Sequence, residues 1–180
     1  MEANALKMEL ASFDRLQKEL ENYASAVKET YRANLVERNH WSSGDLINTI
    51  SYKVENNGVD YEVSLNLKGY WKYLEEGIQG KKNPASPFSN PGWKVYPFIL
   101  KWIEVKPVLP KPLPSGKLPK PKQLAYLISR KIVENGTAPS KDLERALDAV
   151  NDQYRERLRT AMEADLRAVL TLIVQSAMTE

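Results

Sequence analysis

The stretch Ile50-Ser-Tyr-Lys-Val-Glu-Asn-Asn-Gly-Val-Asp-Tyr-Glu-Val-Ser-Leu-Asn-Leu67 decides the fold class. Ile50, Tyr52 and Val54 alternate with polar neighbours, and so do Val59, Tyr61, Val63, Leu65 and Leu67. A period of two belongs to a strand with one face covered. Between the runs stands Asn56-Asn57-Gly58, and Asn-Gly is the strongest short hairpin signal because both central turn positions need φ > 0. A β-hairpin is therefore predicted over about residues 47–67. Its apolar face needs cover from elements outside it.

Both flanks read as helix. On the N-terminal side Leu6, Leu10, Phe13, Leu16, Leu20, Tyr23, Val27 and Tyr31 recur at steps of three and four, one stripe of a long amphipathic helix. Asn39-His40-Trp41-Ser42-Ser43-Gly44-Asp45 then breaks it with turn formers. At the other end Ser140 is the predicted N-cap of a final helix, with Asp142 in its first turn. Leu143, Leu147, Val150, Tyr154, Leu158, Met162, Leu166, Val169, Leu170 and Ile173 continue it at helical spacing. That length exceeds what a domain of this size needs for itself, so self-association along it is expected. Residues 1–43 and 141–180 contain no glycine or proline.

The middle is different. Ten of the 11 prolines lie between Pro84 and Pro121. Gly69–Ile78 suits a short aromatic helix or turn, and residues 80–97 a loop. Phe98, Ile99, Trp102 and Ile103 suit a short helix stopped by Pro107. Val108–Pro121 (VLPKPLPSGKLPKP) is too proline-rich for helix or central strand and reads as an extended arm. Leu124, Leu127, Ile128 and Ile132 begin a further helix that ends at Asn135-Gly136. The whole is an α+β fold: a long N-terminal helix, a small antiparallel sheet with its hairpin, further helices, a proline-rich arm and a long C-terminal helix. Residues 1–140 form the α+β domain, with a basic loop or arm at 80–122, and residues 141–180 are a helical extension.

Composition narrows the function. With 42% hydrophobic and 27% charged residues, the 180-residue chain can build a core. It has no cysteine, which excludes disulfides, thiol catalysis and Cys-based zinc sites, and a single histidine excludes a two-His metal site. No apolar run approaches the ~18 residues of a membrane span, and the first residues lack the layout of a signal peptide, so the chain reads as soluble and made in the cytosol. His40 sits beside Trp41 in a helix-ending turn with no recognised nucleophile motif, so a capping or surface role is expected. Glu75 and Glu76 are neighbours on a helical turn and point apart, so a salt bridge is expected rather than an acid–base dyad. Ser42-Ser43-Gly44 is no nucleophile elbow, and no glycine-rich phosphate loop occurs. These readings leave no catalytic, cofactor-binding or metal-binding residue to nominate.

Charge points instead to contacts. Residues 1–67 carry 7 Lys/Arg against 11 Asp/Glu, and residues 123–180 carry 8 against 9. Residues 68–122 carry 11 lysines, no arginine and 3 glutamates, interleaved with Tyr70, Trp71, Tyr73, Trp93, Tyr96 and Trp102. Basic residues among aromatics can grip single-stranded nucleic acid through phosphates and stacking. The missing arginine argues against bidentate recognition, and Tyr70, Tyr73 and Trp102 suit a core equally well. An arm that orders against an acidic protein neighbour is the other reading.

Four patterns in fixed order carry a resemblance. They are WSSGDLINTISYKV (Trp41–Val54), YEVSLNLKGYWKYLEEGIQGKKNP (Tyr61–Pro84), PFILKWIEVKPVLP (Pro97–Pro110) and LAYLISRKIVENGTAPSKDLERAL (Leu124–Leu147). Together, over about residues 1–147, the chain resembles the head–tail connector or tail-completion (neck) proteins of tailed bacteriophages. The long helix after Ser140 departs from the short C-terminus of that family. The resemblance implies a non-enzymatic virion protein, made in the host cytoplasm, that forms part of a homo-oligomeric ring between portal and tail. Its partners would be portal, adaptor or tail proteins, with transient DNA passage and no membrane or cofactor. Lys81, Lys82, Lys94, Lys111, Lys117, Lys120 and Lys122 are then the candidate contacts to a partner or to DNA in the channel. The alternative is a nucleic-acid-binding accessory protein that uses the basic aromatic segment 68–122.

Overall fold

A computed structural model describes residues 13–40, 44–57, 60–89, 95–106 and 108–178. The fold is α+β, with a long helix toward each end and short strands between. In order along the chain it has α1 (Asp14–Glu37), α2 (Asp45–Thr49), β1 (Ser51–Asn56), β2 (Tyr61–Asn66) and α3 (Trp71–Glu75). There follow β3 (Ile78–Gln79), a 3-10 turn at Pro87–Ser89, α4 (Tyr96–Val105), α5 (Pro121–Asn135), β4 (Gly136–Thr137) and α6 (Asp142–Ala177). The chain divides into two compact units, one of residues 1–32, 51–66 and 145–180, the other of residues 33–50 and 67–144.

The first unit holds most of α1 and α6 and the hairpin. Ala24, Val27 and Tyr31 are buried on α1, and Ala146, Val150, Tyr154 and Ala161 on α6. Tyr23 and Tyr154 meet edge to face across the two helices, with centroids 5.9 Å apart. The two helices run antiparallel: the Tyr23 hydroxyl donates to Asn151 Oδ1 at 2.8 Å, Arg157 pairs with Glu19 at 2.9 Å, and Leu16 N–H donates to Asp165 Oδ2 at 2.9 Å. Leu16 lies in the first turn of α1, so the buried carboxylate of Asp165 caps that helix from a distant position in the chain. Arg15 completes the pair at 3.3 Å from Asp165.

The expected apolar stripes are only partly the buried ones. Leu6 and Leu10 lie outside the described residues. Along α6, Met162, Leu166, Leu170 and Ile173 are exposed rather than buried. The reason is geometric: each four-residue step turns a helix by 400°, so the series Tyr154, Leu158, Met162, Leu166, Leu170 rotates about 40° per step away from the seam. The buried line instead runs through Tyr154, Ala161 and Asp165.

The hairpin forms, with a shifted start. Residues 45–49, whose last part was expected as strand, are the helical turn α2, and pairing begins at Ser51. Tyr52 faces Leu65, Val54 faces Val63 and Asn56 faces Tyr61 across the antiparallel ladder. Asn57 N–H donates to Asp60 O at 3.1 Å, closing the ladder around positions 58 and 59, which lie outside the described residues. No strand residue is fully buried.

In the second unit the key feature is a crossing of two backbones. β3 and β4 pair as Ile78 with Thr137 and Gln79 with Gly136. Gly77 (φ +71°) and Gly136 (φ +78°) have left-handed backbones, and a Cβ on either would collide with a carbonyl oxygen of the opposite strand. Lys81 N–H then donates to Val133 O at 2.7 Å, extending the crossing along the end of α5. α4 packs on α5, whose buried positions are the small residues Ala125 and Ser129. α5 starts at Pro121 rather than Leu124, because proline is preorganised for a first helical position and the Gln123 side chain accepts the Lys120 N–H at 3.1 Å.

Candidate partner interface

The basic segment is built around α4, α5 and the chain joining them. Among the described residues, the seven nominated lysines are placed as follows. Lys81 and Lys82 are exposed in the turn after β3, beside the C-terminal end of α5. Lys120 and Lys122 are exposed at the opposite end of that helix, about 22 Å away for 15 residues at 1.5 Å each. Lys111 and Lys117 are exposed on the intervening arm, where Leu113 N–H donates to Lys117 O and Gly116 N–H to Leu113 O, both at 2.8 Å. Lys94 lies outside the described residues. The lysines thus line an extended surface and do not converge on one focus.

The arm itself repeats a motif. Leu109-Pro-Lys-Pro112 and Leu118-Pro-Lys-Pro121 flank the turn at 113–117, and Leu109 is 96% and Leu118 63% exposed. Proline holds such a segment extended at low entropic cost, and the leucines offer apolar contacts between positive charges. From Val105 to Val133 the chain carries no acidic residue. The surface is therefore suited to an acidic neighbour or to phosphate.

The aromatics divide between exposed and half-buried positions. Tyr70 and Tyr73 are exposed, whereas Trp71 and Trp102 are half-buried with Lys72 and Lys106 over their rings at 6.0 and 5.8 Å. Trp93 lies outside the described residues. Lys106 is committed internally: its Nζ donates to Asn39 O at 2.5 Å, and burial pushes its ammonium below the ordinary lysine value.

The histidine reading gains a partner that the sequence did not suggest. Asn39, at φ +60°, ends α1 in a Schellman motif: His40 N–H donates to Leu35 O at 2.9 Å and Asn39 N–H to Val36 O at 3.0 Å. The His40 ring then meets the fully buried Asp142, Nδ1 to Oδ2 at 2.6 Å. Arg38 lies 3.6 Å from the other oxygen, and Asn34 Nδ2 donates to the Asp142 carbonyl at 2.9 Å. This arrangement locks the end of α1 to the start of α6. Ser42 and Ser43 lie outside the described residues.

The expected cap of α6 is corrected in the same place. Ser140 does not cap the helix, since Lys141 intervenes with a left-handed backbone (φ +56°). Both oxygens of Glu75 instead accept the Leu143 N–H at 3.0 Å, and the Ser140 hydroxyl donates to Glu75 at 3.4 Å. Glu75, expected in a salt bridge, is a helix cap supplied from 68 residues away. Its signal in the sequence was the acid itself at a buried position of an aromatic turn, without any local partner.

Among the described residues, no group of three or more His, Cys, Asp or Glu side chains is placed to hold a metal ion, and no helix is long and apolar enough to cross a membrane. No protein family, curated protein or solved structure matches the chain.

Proposed function

We propose that this chain is a structural protein of a tailed-phage neck, one subunit of a ring between portal and tail through which DNA passes. The observation that carries the reading is the β3–β4 crossing. Segments of two of the four patterns behind the resemblance, Gly77-Ile-Gln-Gly80 within Tyr61–Pro84 and Asn135-Gly-Thr137 within Leu124–Leu147, lie far apart in sequence yet pair here across glycines where a Cβ would meet backbone atoms. That parts of two quoted stretches meet in one structural unit supports reading them together as one motif set.

The surfaces fit the reading. A ring uses two different patches on each subunit. The exposed basic arm supplies one, able to reach a neighbour, and the exposed apolar side of α6 supplies the other. Lysines spread along a surface offset phosphate charge without gripping bases, as DNA passage requires. No catalytic step is part of this function.

The second reading, a nucleic-acid-binding accessory protein, rests on the exposure of Lys81, Lys82, Lys111, Lys117, Lys120 and Lys122. A salt titration of DNA binding separates the two. A dedicated binder making 6–10 phosphate contacts loses roughly 10³–10⁵ in affinity between about 50 and 200 mM salt. For a neck subunit the expected result is weak affinity throughout; tight, steeply salt-dependent binding by the isolated protein would favour the second reading.

A further inference from the structure

The outer side of α5 carries residues that all donate hydrogen bonds to phosphate. Lys122, Tyr126 and Arg130 are exposed and stand four residues apart. Each step advances about 6 Å along the axis and turns about 40°, so the three form one inclined stripe roughly 12 Å long. The inward side of the helix is occupied by Ala125 and Ser129, whose hydroxyl is spent on the Ala125 carbonyl at 2.6 Å. Lysine, arginine and tyrosine side chains all serve proteins as contacts to the DNA backbone.

The fold extends this stripe at both ends. Lys120 stands exposed at the N-cap position, and the hydrogen bond from Lys81 N–H to Val133 O brings the exposed Lys81 and Lys82 to the C-terminal end. Cations from two separate stretches of chain thus follow one helix of roughly 22 Å. One strand of duplex DNA presents a phosphate every ~3.4 Å of axis, so that length passes about six of them. The one carboxylate within α5 is Glu134, 2.8 Å from Arg130 Nε. Both side chains are exposed, and such a pair is weak enough for phosphate to displace.

We propose that this face of α5 is a sequence-independent contact surface for the phosphate backbone of duplex DNA. Lys122, Tyr126 and Arg130 form its centre, Lys120 and Lys81–Lys82 its ends, and Glu134 tempers its grip. The assignment rests on the DNA contact that both readings above share, and not on the ring. It adds Tyr126 and Arg130, which lie beyond the basic segment 68–122.

The test is binding of the full chain to a short duplex of arbitrary sequence at low salt, followed through a salt titration. Lys122→Gln combined with Arg130→Gln is expected to weaken binding roughly tenfold or more and to lower the slope of log affinity against log salt by about 2. Lys18→Gln combined with Arg155→Gln makes the same charge change at exposed positions of α1 and α6, and should leave that slope unchanged. Glu134→Gln is expected to tighten binding, which a damaged fold would not do. Glu163→Gln, which breaks a like-spaced pair with Arg159 on α6, should not tighten it. No binding by the wild-type chain at low salt would overturn the proposal. So would a control pair that lowers the slope as much as the α5 pair does. Variants of α5 that keep DNA binding and lose assembly would assign the face to a protein neighbour and overturn it equally. Ring formation is read separately, so a monomer that binds DNA through α5 would refute the ring and leave this surface standing.

Discussion

The two units of this chain are held by different means. The helix pair and hairpin of the first unit rest on side chains: Ala24, Val27 and Tyr31 are buried on α1 and Val150, Tyr154 and Ala161 on α6, with Asp165 and Glu19 as polar pins. The second unit has few large buried apolar side chains, Leu35, Leu46 and Ile50 among them, and its organisation rests on backbone meeting backbone at Gly77, Gly80 and Gly136. Buried carboxylates also serve it, Asp142 joining two helix ends and Glu75 capping α6. A unit built on side chains yields to truncation by degrees. One built on absent side chains fails at single atoms.

The sharpest break is therefore one methyl group in the second unit. Gly136→Ala places a Cβ against the Ile78 carbonyl on a left-handed backbone, and a loss of roughly 3–5 kcal/mol in urea unfolding is expected. Gly69→Ala, in open space, should stay within about 0.5 kcal/mol and marks the contrast. If the two variants unfold alike, the backbone crossing does not hold the unit.

Next comes Asp142→Ala, which removes a fully buried carboxylate with His40, Arg38 and a helix start around it. A loss of about 2–4 kcal/mol is expected by the same measurement. Glu75→Ala should cost about 1–2 kcal/mol as a lost cap, with Glu75→Gln recovering part because an amide oxygen still accepts the Leu143 N–H. Full loss in Glu75→Gln would show that charge, not capping geometry, matters there.

The first unit should respond more mildly to polar changes. Tyr23→Phe keeps the edge-to-face packing on Tyr154 and loses only the hydrogen bond to Asn151, an expected cost of about 0.5–1 kcal/mol. The smallest effect on stability belongs to the arm. Replacing Lys111, Lys117, Lys120 and Lys122 together by glutamine should leave the unfolding midpoint within about 0.5 kcal/mol, since all four are exposed. A larger shift would mean that the arm is part of the fold rather than a contact surface.

The same contrast explains what could be read from the residues alone. Periodicity is local, so the hairpin, α1, α4 and α5 were legible from alternation and three–four spacing, and Asn39 from its turn chemistry. Spacing could not tell which side of α6 is buried, because a four-residue series rotates away from the seam. The β3–β4 bridge carried no periodic signal, only glycines in Gly77-Ile-Gln-Gly80 and Asn135-Gly-Thr137 whose partner is remote. Ser140 was a sound local cap that lost to Glu75, since Lys141 turns the chain before the helix begins. The lysines of the candidate interface were visible as composition. Their spread from one end of α5 to the other depends on the fold.

The most direct measurement is the oligomeric state of the full chain, by light scattering with negative-stain imaging across a wide concentration range. Closed rings of uniform size are the expected result, with the four-lysine variant impaired in ring closure or in docking to portal or tail proteins. A chain that stays monomeric at every concentration, while binding DNA with a steep salt dependence, would contradict the neck-protein reading.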